Sequence, residues 1–251
     1  MRFLCLHGRG TNADIFESQL AALHSRISSE HTFDFIDAEF DCPPAPGIGD
    51  LFAPPYLCWY SQFDPTHIQT AHDYIRSTIE EDGPYDGVIG FSEGAALAAS
   101  FLISLQHRND ESGGNQTDLL FKVAIFFNSA IVLSPSKTLG SNITQWIAKS
   151  RAQLIEFIHC NPKEFEKLPD TFGFTSICLS SFKSRIAIPT LHVIGERDGF
   201  VDDARQLVEF CCKQTAEVFV HSGGHELPRD EATLDRFATR FEAVIALAAV
   251  V

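Results

Sequence analysis

Six short apolar runs, Phe3 to Leu6, Phe33 to Ile36, Gly87 to Gly90, Val123 to Val132, Pro189 to Ile194 and Ala216 to Val220, punctuate the chain between Gly, Pro, Asp and Ser residues. Continuous apolar stretches of this length bounded by turn formers are the pattern of strands buried on both faces. Between them the spacing becomes helical. Ile68, Ala71, Ile75 and Ile79 recur at one face of a helix with Thr66 as its expected N-cap, and residues 202–213 and 229–249 read the same way. Ala95 to Ala99 adds a strong helix signal directly after the third run. Alternating strand and helix along the whole length predicts an α/β fold, a mostly parallel central sheet with helices on both faces.

Two stretches depart from this rhythm. Residues 41–58 contain Pro43, Pro44, Pro46, Pro54 and Pro55 with Gly47 and Gly49, which predicts an extended surface loop rather than strand or helix. Residues 136–186 make an excursion between two strands, with a helix-like segment from Ile143 to His159 followed by Asn161-Pro162 and Leu168-Pro169. The excursion is expected to be a small lid or cap, or otherwise a decorated crossover, on a single domain spanning 1–251.

Composition narrows the function classes. With 45% hydrophobic and 21% charged residues the chain can bury a sizeable core, so disorder is excluded. Its 19 Lys and Arg face 33 Asp and Glu, and a net charge of −14 repels phosphate backbones and anionic lipid heads, so neither nucleic acid nor a membrane surface is an expected partner. Seven scattered cysteines without a C-x-x-C read as reduced thiols, and the start of the chain lacks a secretory leader pattern, which together predict a cytoplasmic protein. The apolar end from Ala243 to Val251 is nine residues, short of the ~20 that span a membrane.

The chemistry is concentrated at Gly90-Phe91-Ser92-Glu93-Gly94, a G-x-S-x-G pattern. The strand signal Tyr85 to Ile89 precedes it and the Ala-rich helix follows, so Ser92 is expected at a sharp strand-to-helix turn, where a nucleophile is held in a strained conformation. The helix that starts there aims its first N–H groups at a developing oxyanion.

A serine hydroxyl needs a base, and the base an orienting carboxylate. Asp198 lies in the loop after the run that ends at Ile194, and His225 follows Gly223-Gly224 in the loop after Val220. The order Ser92, Asp198, His225 is that of α/β hydrolases. Asp202 and Asp203 are rival acids, but both read as first-turn residues of the next helix. His221 is the rival base, closer to its strand.

An oxyanion hole in such a site uses the N–H after the nucleophile and another from the loop after an early strand, here Glu93 and Arg9. A different enzyme class competes for the same loop: Gly8-Arg9-Gly10-Thr11-Asn12-Ala13 fits the dinucleotide pattern G-x-G-x-x-A, with Asp37 as the ribose acid. That reading leaves the elbow, Asp198 and His225 without a task, and Asp37 lies further along than the usual ~20 residues. A binding protein built on a hydrolase fold is the non-enzyme alternative, and it commonly lacks a member of the triad.

The chain resembles the fungal serine hydrolase family of α/β hydrolases, which includes small thioesterases that release polyketides. The resemblance is carried by Leu4-Cys5-Leu6-His7-Gly8, Asp37-Ala38, Gly83 to Ala96, Phe121-Lys122-Val123 and Ser222-Gly223-Gly224-His225. It implies Ser92 as nucleophile, Asp198 as acid and His225 as base, an acyl ester or thioester as substrate, an acyl-carrier domain of a polyketide synthase as partner, and no metal or organic cofactor. General short-chain carboxylesterase activity is the alternative. Two positions depart from the family pattern: Asn128-Ser129-Ala130 where a Ser-Gly pair is usual, and Arg9 in place of an apolar residue, which is expected to bring a positive charge to the site mouth.

Overall fold

The alternation of buried runs and amphipathic segments resolves into a parallel sheet covered on both faces. The structure, a computed structural model, describes residues 1–111, 120–143, 175–177, 182 and 184–250. Its elements follow in the order β1 (Arg2–Leu6), α1 (Ala13–His24), β2 (Thr32–Ile36), β3 (Phe40–Asp41), β4 (Leu57–Cys58), α2 (Pro65–Asp82), β5 (Gly87–Phe91), α3 (Glu93–Glu111), β6 (Val123–Phe127), β7 (Gly140–Asn142), β8 (Thr175–Ile177), β9 (Thr190–Gly195), α4 (Val201–Val208), β10 (Ala216–His221) and α5 (Glu231–Ala248). Six strands form the main sheet in the order β10-β9-β6-β5-β1-β2, each neighbouring pair parallel. The chain enters at β1, steps out to β2, then crosses to the other side of β1 and builds β5, β6, β9 and β10 outward. The direction of winding therefore reverses between β1 and β5, and open α/β sheets leave a ligand crevice at the carboxyl ends of strands at such a reversal.

Side chains alternate across the pleat and divide the core in two. Leu4, Leu6, Val88, Ala124 and Phe126 pack with α2, α3 and Leu207 of α4. Phe3, Cys5, Ile89, Val123, Ile125 and Phe127 pack with Phe16 and Leu20 of α1 and Phe237 and Phe241 of α5. Burial on both faces is why β1, β5, β6 and β9 read as unbroken apolar runs. The expectation fails at the sheet edges: β2 is only partly buried, and in β10 Val218 and Val220 are each 45% exposed, because an edge strand has a neighbour on one side only. Phe126 and Phe127, each 1% exposed, are core residues of opposite faces. Truncating either to Ala would cost about 3–5 kcal/mol.

Several boundaries differ from expectation for identifiable reasons. β6 stops at Phe127 rather than Val132 because Asn128 turns left-handed at φ 45°. The N-cap of α2 is Asp64, not Thr66: its carboxylate accepts from the N–H groups of Thr66 (2.8 Å) and His67 (3.2 Å), and Pro65 takes the first helical position, where no N–H is needed. α4 ends at Val208, short of residue 213, and Cys211 instead bridges to Ile186. Sequence reasoning passed over α1, although Asn12 caps it and the buried Ile15, Phe16, Leu20 and Leu23 carry a helical spacing. The Pro-rich loop is pinned at both ends, where β3 and β4 pair antiparallel. The antiparallel pair β7–β8 lies within the 136–186 excursion, but most of the expected lid and the helix expected over 143–159 fall outside the described residues. No helix among the described residues is long and apolar enough to cross a membrane.

Candidate active site

Strand β5 delivers Ser92 to the carboxyl edge of the sheet, and α3 begins at the next residue. Ser92 stands at φ 54°, a left-handed conformation that L-residues other than Gly avoid, and the turn is over-determined by its surroundings. Its N–H donates to the Phe127 carbonyl (2.9 Å), and its own carbonyl accepts from Ala96 (3.0 Å) and Ala130 (3.3 Å). The flanking glycines are there because backbone passes where a side chain would stand: a Cβ on Gly90 would lie 2.5 Å from the Ala95 backbone, and one on Gly94 would collide with the Leu6 carbonyl oxygen.

The loops after β9 and β10 bring the other expected residues to Ser92. His225 Nε2 lies 2.8 Å from Ser92 Oγ, and His225 Nδ1 lies 2.8 Å from Asp198 Oδ2. The carboxylate of Asp198 is fully buried while the imidazole is 25% exposed, so the assembly opens to solvent only at the histidine. Asp198 Oδ1 accepts from the Phe200 N–H (2.8 Å), and the Phe91 and Phe200 rings flank the imidazole at centroid distances of 5.2 and 5.0 Å. The rivals have other tasks. Asp202 and Asp203 occupy the first turn of α4. His221 Nδ1 accepts from the Gly223 N–H (3.2 Å), bracing the loop that carries His225, and burial lowers its pKa.

The loop after β1 completes the site. A Cβ on Gly8 would stand 3.4 Å from Ser92 Cβ, which puts Arg9 at the rim of the elbow. Neither the Arg9 nor the Glu93 N–H has a backbone acceptor among the described residues. The loop is locked by His7. Ala38 N–H donates to its Nε2 (3.0 Å), so the ring's proton sits on Nδ1 and points to the Gly8 carbonyl oxygen (2.8 Å), a tautomer assigned from these partners. Burial brings the His7 pKa down to about 4, which keeps the ring neutral.

The positive charge expected from Arg9 is accounted for inside the protein. Its guanidinium donates to Glu93 Oε1 (2.8 Å) and to the Tyr60 carbonyl (3.2 Å), while Glu93 Oε2 accepts from Trp59 N–H (2.9 Å). Burial acts to lower the Arg9 pKa, but adjacent Glu93 outweighs it and the guanidinium stays charged. The two expected oxyanion donors thus belong to residues whose side chains form one buried ion pair. Sequence reasoning missed this pair and its anchors Trp59 and Tyr60, because nothing local links the Pro-rich loop to the elbow.

The dinucleotide reading of Gly8 to Ala13 does not survive. A Cβ on Gly10 would meet the Pro43 carbonyl oxygen at 2.9 Å, so this glycine makes room for the Pro-rich loop. Asp37 Oδ1 accepts from the Ala13 N–H (2.9 Å) at the start of α1, which gives this carboxylate a structural task in the loop. Among the described residues, no three His, Cys, Asp or Glu side chains cluster as a metal site requires.

A family model described as "Serine hydrolase (FSH1)" matches residues 1–237. The chain belongs to the FSH1 serine hydrolase family. Esterase alnB of Emericella nidulans is 31% identical, over 91% of this chain and 90% of that protein. Esterase FPY3 of Fusarium mangiferae is 30% identical, over 100% of this chain and 99% of that protein. A carboxylesterase from Mesorhizobium loti superposes with a TM-score of 0.55 at 15% identity, over 96% of this chain and 88% of that one. Zea mays acyl-protein thioesterase 2 superposes at 0.54, again at 15% identity, over 97% and 93%. These two likenesses establish the α/β-hydrolase fold. As a member of the FSH1 family, the protein is an ester-hydrolysing enzyme.

Proposed function

We propose that Ser92, His225 and Asp198 form the catalytic triad of a cytoplasmic thioesterase that releases an acyl chain, a polyketide or fatty chain, from a carrier domain. The observation that carries the triad is the unbroken path from Asp198 Oδ2 through the imidazole to Ser92 Oγ, both links 2.8 Å, ending at a serine held in the strained elbow conformation. Asp198 accepts a hydrogen bond from Nδ1–H, which keeps the proton on Nδ1 and leaves Nε2 as the base facing the hydroxyl. As Ser92 Oγ attacks the acyl carbon, His225 takes its proton and the carbonyl oxygen becomes an oxyanion, held by the N–H groups of Glu93 and Arg9. Collapse expels the thiol, which leaves with the proton from His225. Water, deprotonated by the same histidine, then releases the acid and restores Ser92. The buried Arg9–Glu93 pair keeps both donors in place, so no reorganisation is needed when charge develops.

The thioester and its carrier rest on the resemblance of the elbow block to fungal serine hydrolases. The relatives named esterases favour the second reading, a carboxylesterase acting on oxygen esters. One comparison separates the two: kcat/KM for matched octanoyl substrates, one an N-acetylcysteamine thioester and one an ethyl ester, beside an intact-mass measurement after fluorophosphonate treatment. Thioester preference of tenfold or more, with a single adduct absent from Ser92→Ala, is the expected result. Equal rates or an ester preference would replace the thioesterase with the carboxylesterase, and an adduct that persists in Ser92→Ala would remove the triad.

A further inference from the structure

We infer that Asn128 is a positioning residue that holds the acid and base loops in register with Ser92; the inference rests on the proposed triad. Asn128 follows β6 directly and is 1% exposed. Its amide faces three backbone groups. Oδ1 accepts from the Gly195 N–H (2.8 Å), at the end of β9 and three residues before Asp198. Nδ2 donates to the carbonyls of Gly224 (3.2 Å) and Glu226 (2.9 Å), one on each side of His225. The partners leave one orientation of the amide, since a backbone N–H requires the oxygen and two carbonyls require the NH₂.

The same turn reaches the nucleophile. Phe127, one residue earlier, accepts the Ser92 N–H (2.9 Å), Ala130 donates to the Ser92 carbonyl (3.3 Å), and Asn128 N–H itself donates to Val193 (2.8 Å). A four-residue segment therefore touches the strand end of the acid, both flanks of the base and the backbone of the nucleophile. The loops carrying Asp198 and His225 also touch one another, through Arg197 N–H to the Gly223 carbonyl (2.9 Å), and the Asn128 amide ties both to the β6 turn that grips Ser92.

Residue chemistry narrows the position to asparagine. Its φ of 45° lies in the left-handed region, where Asn and Gly are the residues best tolerated. Glycine has no amide to offer. Aspartate keeps the acceptor for Gly195 but turns an anionic oxygen toward two carbonyl oxygens. Serine lacks a side chain that can donate twice and accept once in these directions.

The test uses Asn128→Asp and Asn128→Gly in the wild type and in an Asp198→Asn background, with labelling rate by a fluorophosphonate, kcat and KM for p-nitrophenyl butyrate, and thermal midpoints. In the wild type, Asn128→Asp should lower the labelling rate and kcat together by about 30- to 300-fold with KM within threefold. In the Asp198→Asn background the same change should cost less than threefold, because register matters only while the carboxylate is there to orient the base. Asn128→Gly keeps the left-handed turn and should show the same pattern with a milder loss. A lower midpoint with an unchanged labelling rate per folded molecule, or an equal loss in both backgrounds, would overturn the inference while the triad stands. Loss of folding in both variants would overturn it too, making Asn128 a determinant of the fold. Failure of the wild type to label would remove the triad reading and this inference with it.

Discussion

Two serine–histidine pairs lie in this protein at nearly the same separation, and they differ in everything else. Ser92 Oγ is 2.8 Å from His225 Nε2, and Ser100 Oγ is 2.9 Å from His72 Nε2, inside the core between α2 and α3. Ser100 donates its proton to the Leu133 carbonyl (2.6 Å), so it can only accept from His72. No carboxylate orients His72, whose Nδ1 has no hydrogen-bond partner among the described residues, and burial, aided by Arg108 and Arg76, brings its pKa down to about 3. The imidazole near Ser92 is oriented by Asp198 and reaches solvent; the one near Ser100 is 1% exposed and serves as a hydrogen-bond donor. A short Ser–His distance therefore says little alone, and the direction of each proton decides whether the serine is activated.

The sharpest way to break the comparison is to remove each hydroxyl in turn. Ser92→Ala should lower kcat by about 10⁶-fold, as nucleophile removal does in serine hydrolases. Ser100→Ala should leave kcat within threefold and cost roughly 1–3 kcal/mol of stability, because it strands a buried carbonyl and an imidazole N–H. Steady-state kinetics and denaturant melts on the two variants check both sides, and a comparable activity loss in Ser100→Ala would void the distinction.

A smaller effect tests the orienting carboxylate. Asp198→Asn should reduce kcat about 10⁴-fold by favouring the wrong imidazole tautomer. Asp202→Asn, four residues on and in the first turn of α4, should stay within twofold.

The smallest effect concerns the inert side of the comparison and its buried relatives. His7 is held at about 4, and His72 and His192 at about 3, each chiefly by burial. Between pH 6.5 and about 4 the unfolded chain takes up protons at these sites while the folded chain does not, so stability falls as pH falls through that window. Each such histidine adds about 1.4 kcal/mol per pH unit to the slope. Urea unfolding of wild type and His72→Gln at pH 6, 5 and 4.5 should show the variant's slope reduced by about one proton; equal slopes would mean that His72 is protonated in the folded protein.

Much of this site is legible in the linear pattern because its parts are local. Ser92 at an elbow needs only a strand run, two glycines and an Ala-rich helix in succession, and Asp198 and His225 each follow a recognisable strand. The Arg9–Glu93 pair is different. Its partners are 84 positions apart, and Trp59 and Tyr60 close on them from a Pro-rich loop with no helical or strand periodicity. The ambiguity between the dinucleotide and hydrolase readings of Gly8 to Ala13 had the same origin, since a glycine that makes room for a neighbouring loop looks like one that makes room for a phosphate.

Periodicity and turn chemistry were enough to set the class of fold, the buried runs of the central strands and the order of the proposed nucleophile, acid and base, because each depends on residues a few positions apart. Which histidine meets Ser92, where the charge of Arg9 goes, and what Asn128 holds depend on contacts across 133, 84 and 96 positions. Those were decided by how the parallel sheet places the carboxyl ends of β1, β5, β6, β9 and β10 side by side. Such contacts arise from packing and backbone hydrogen bonding between loops, and no local sequence period records them.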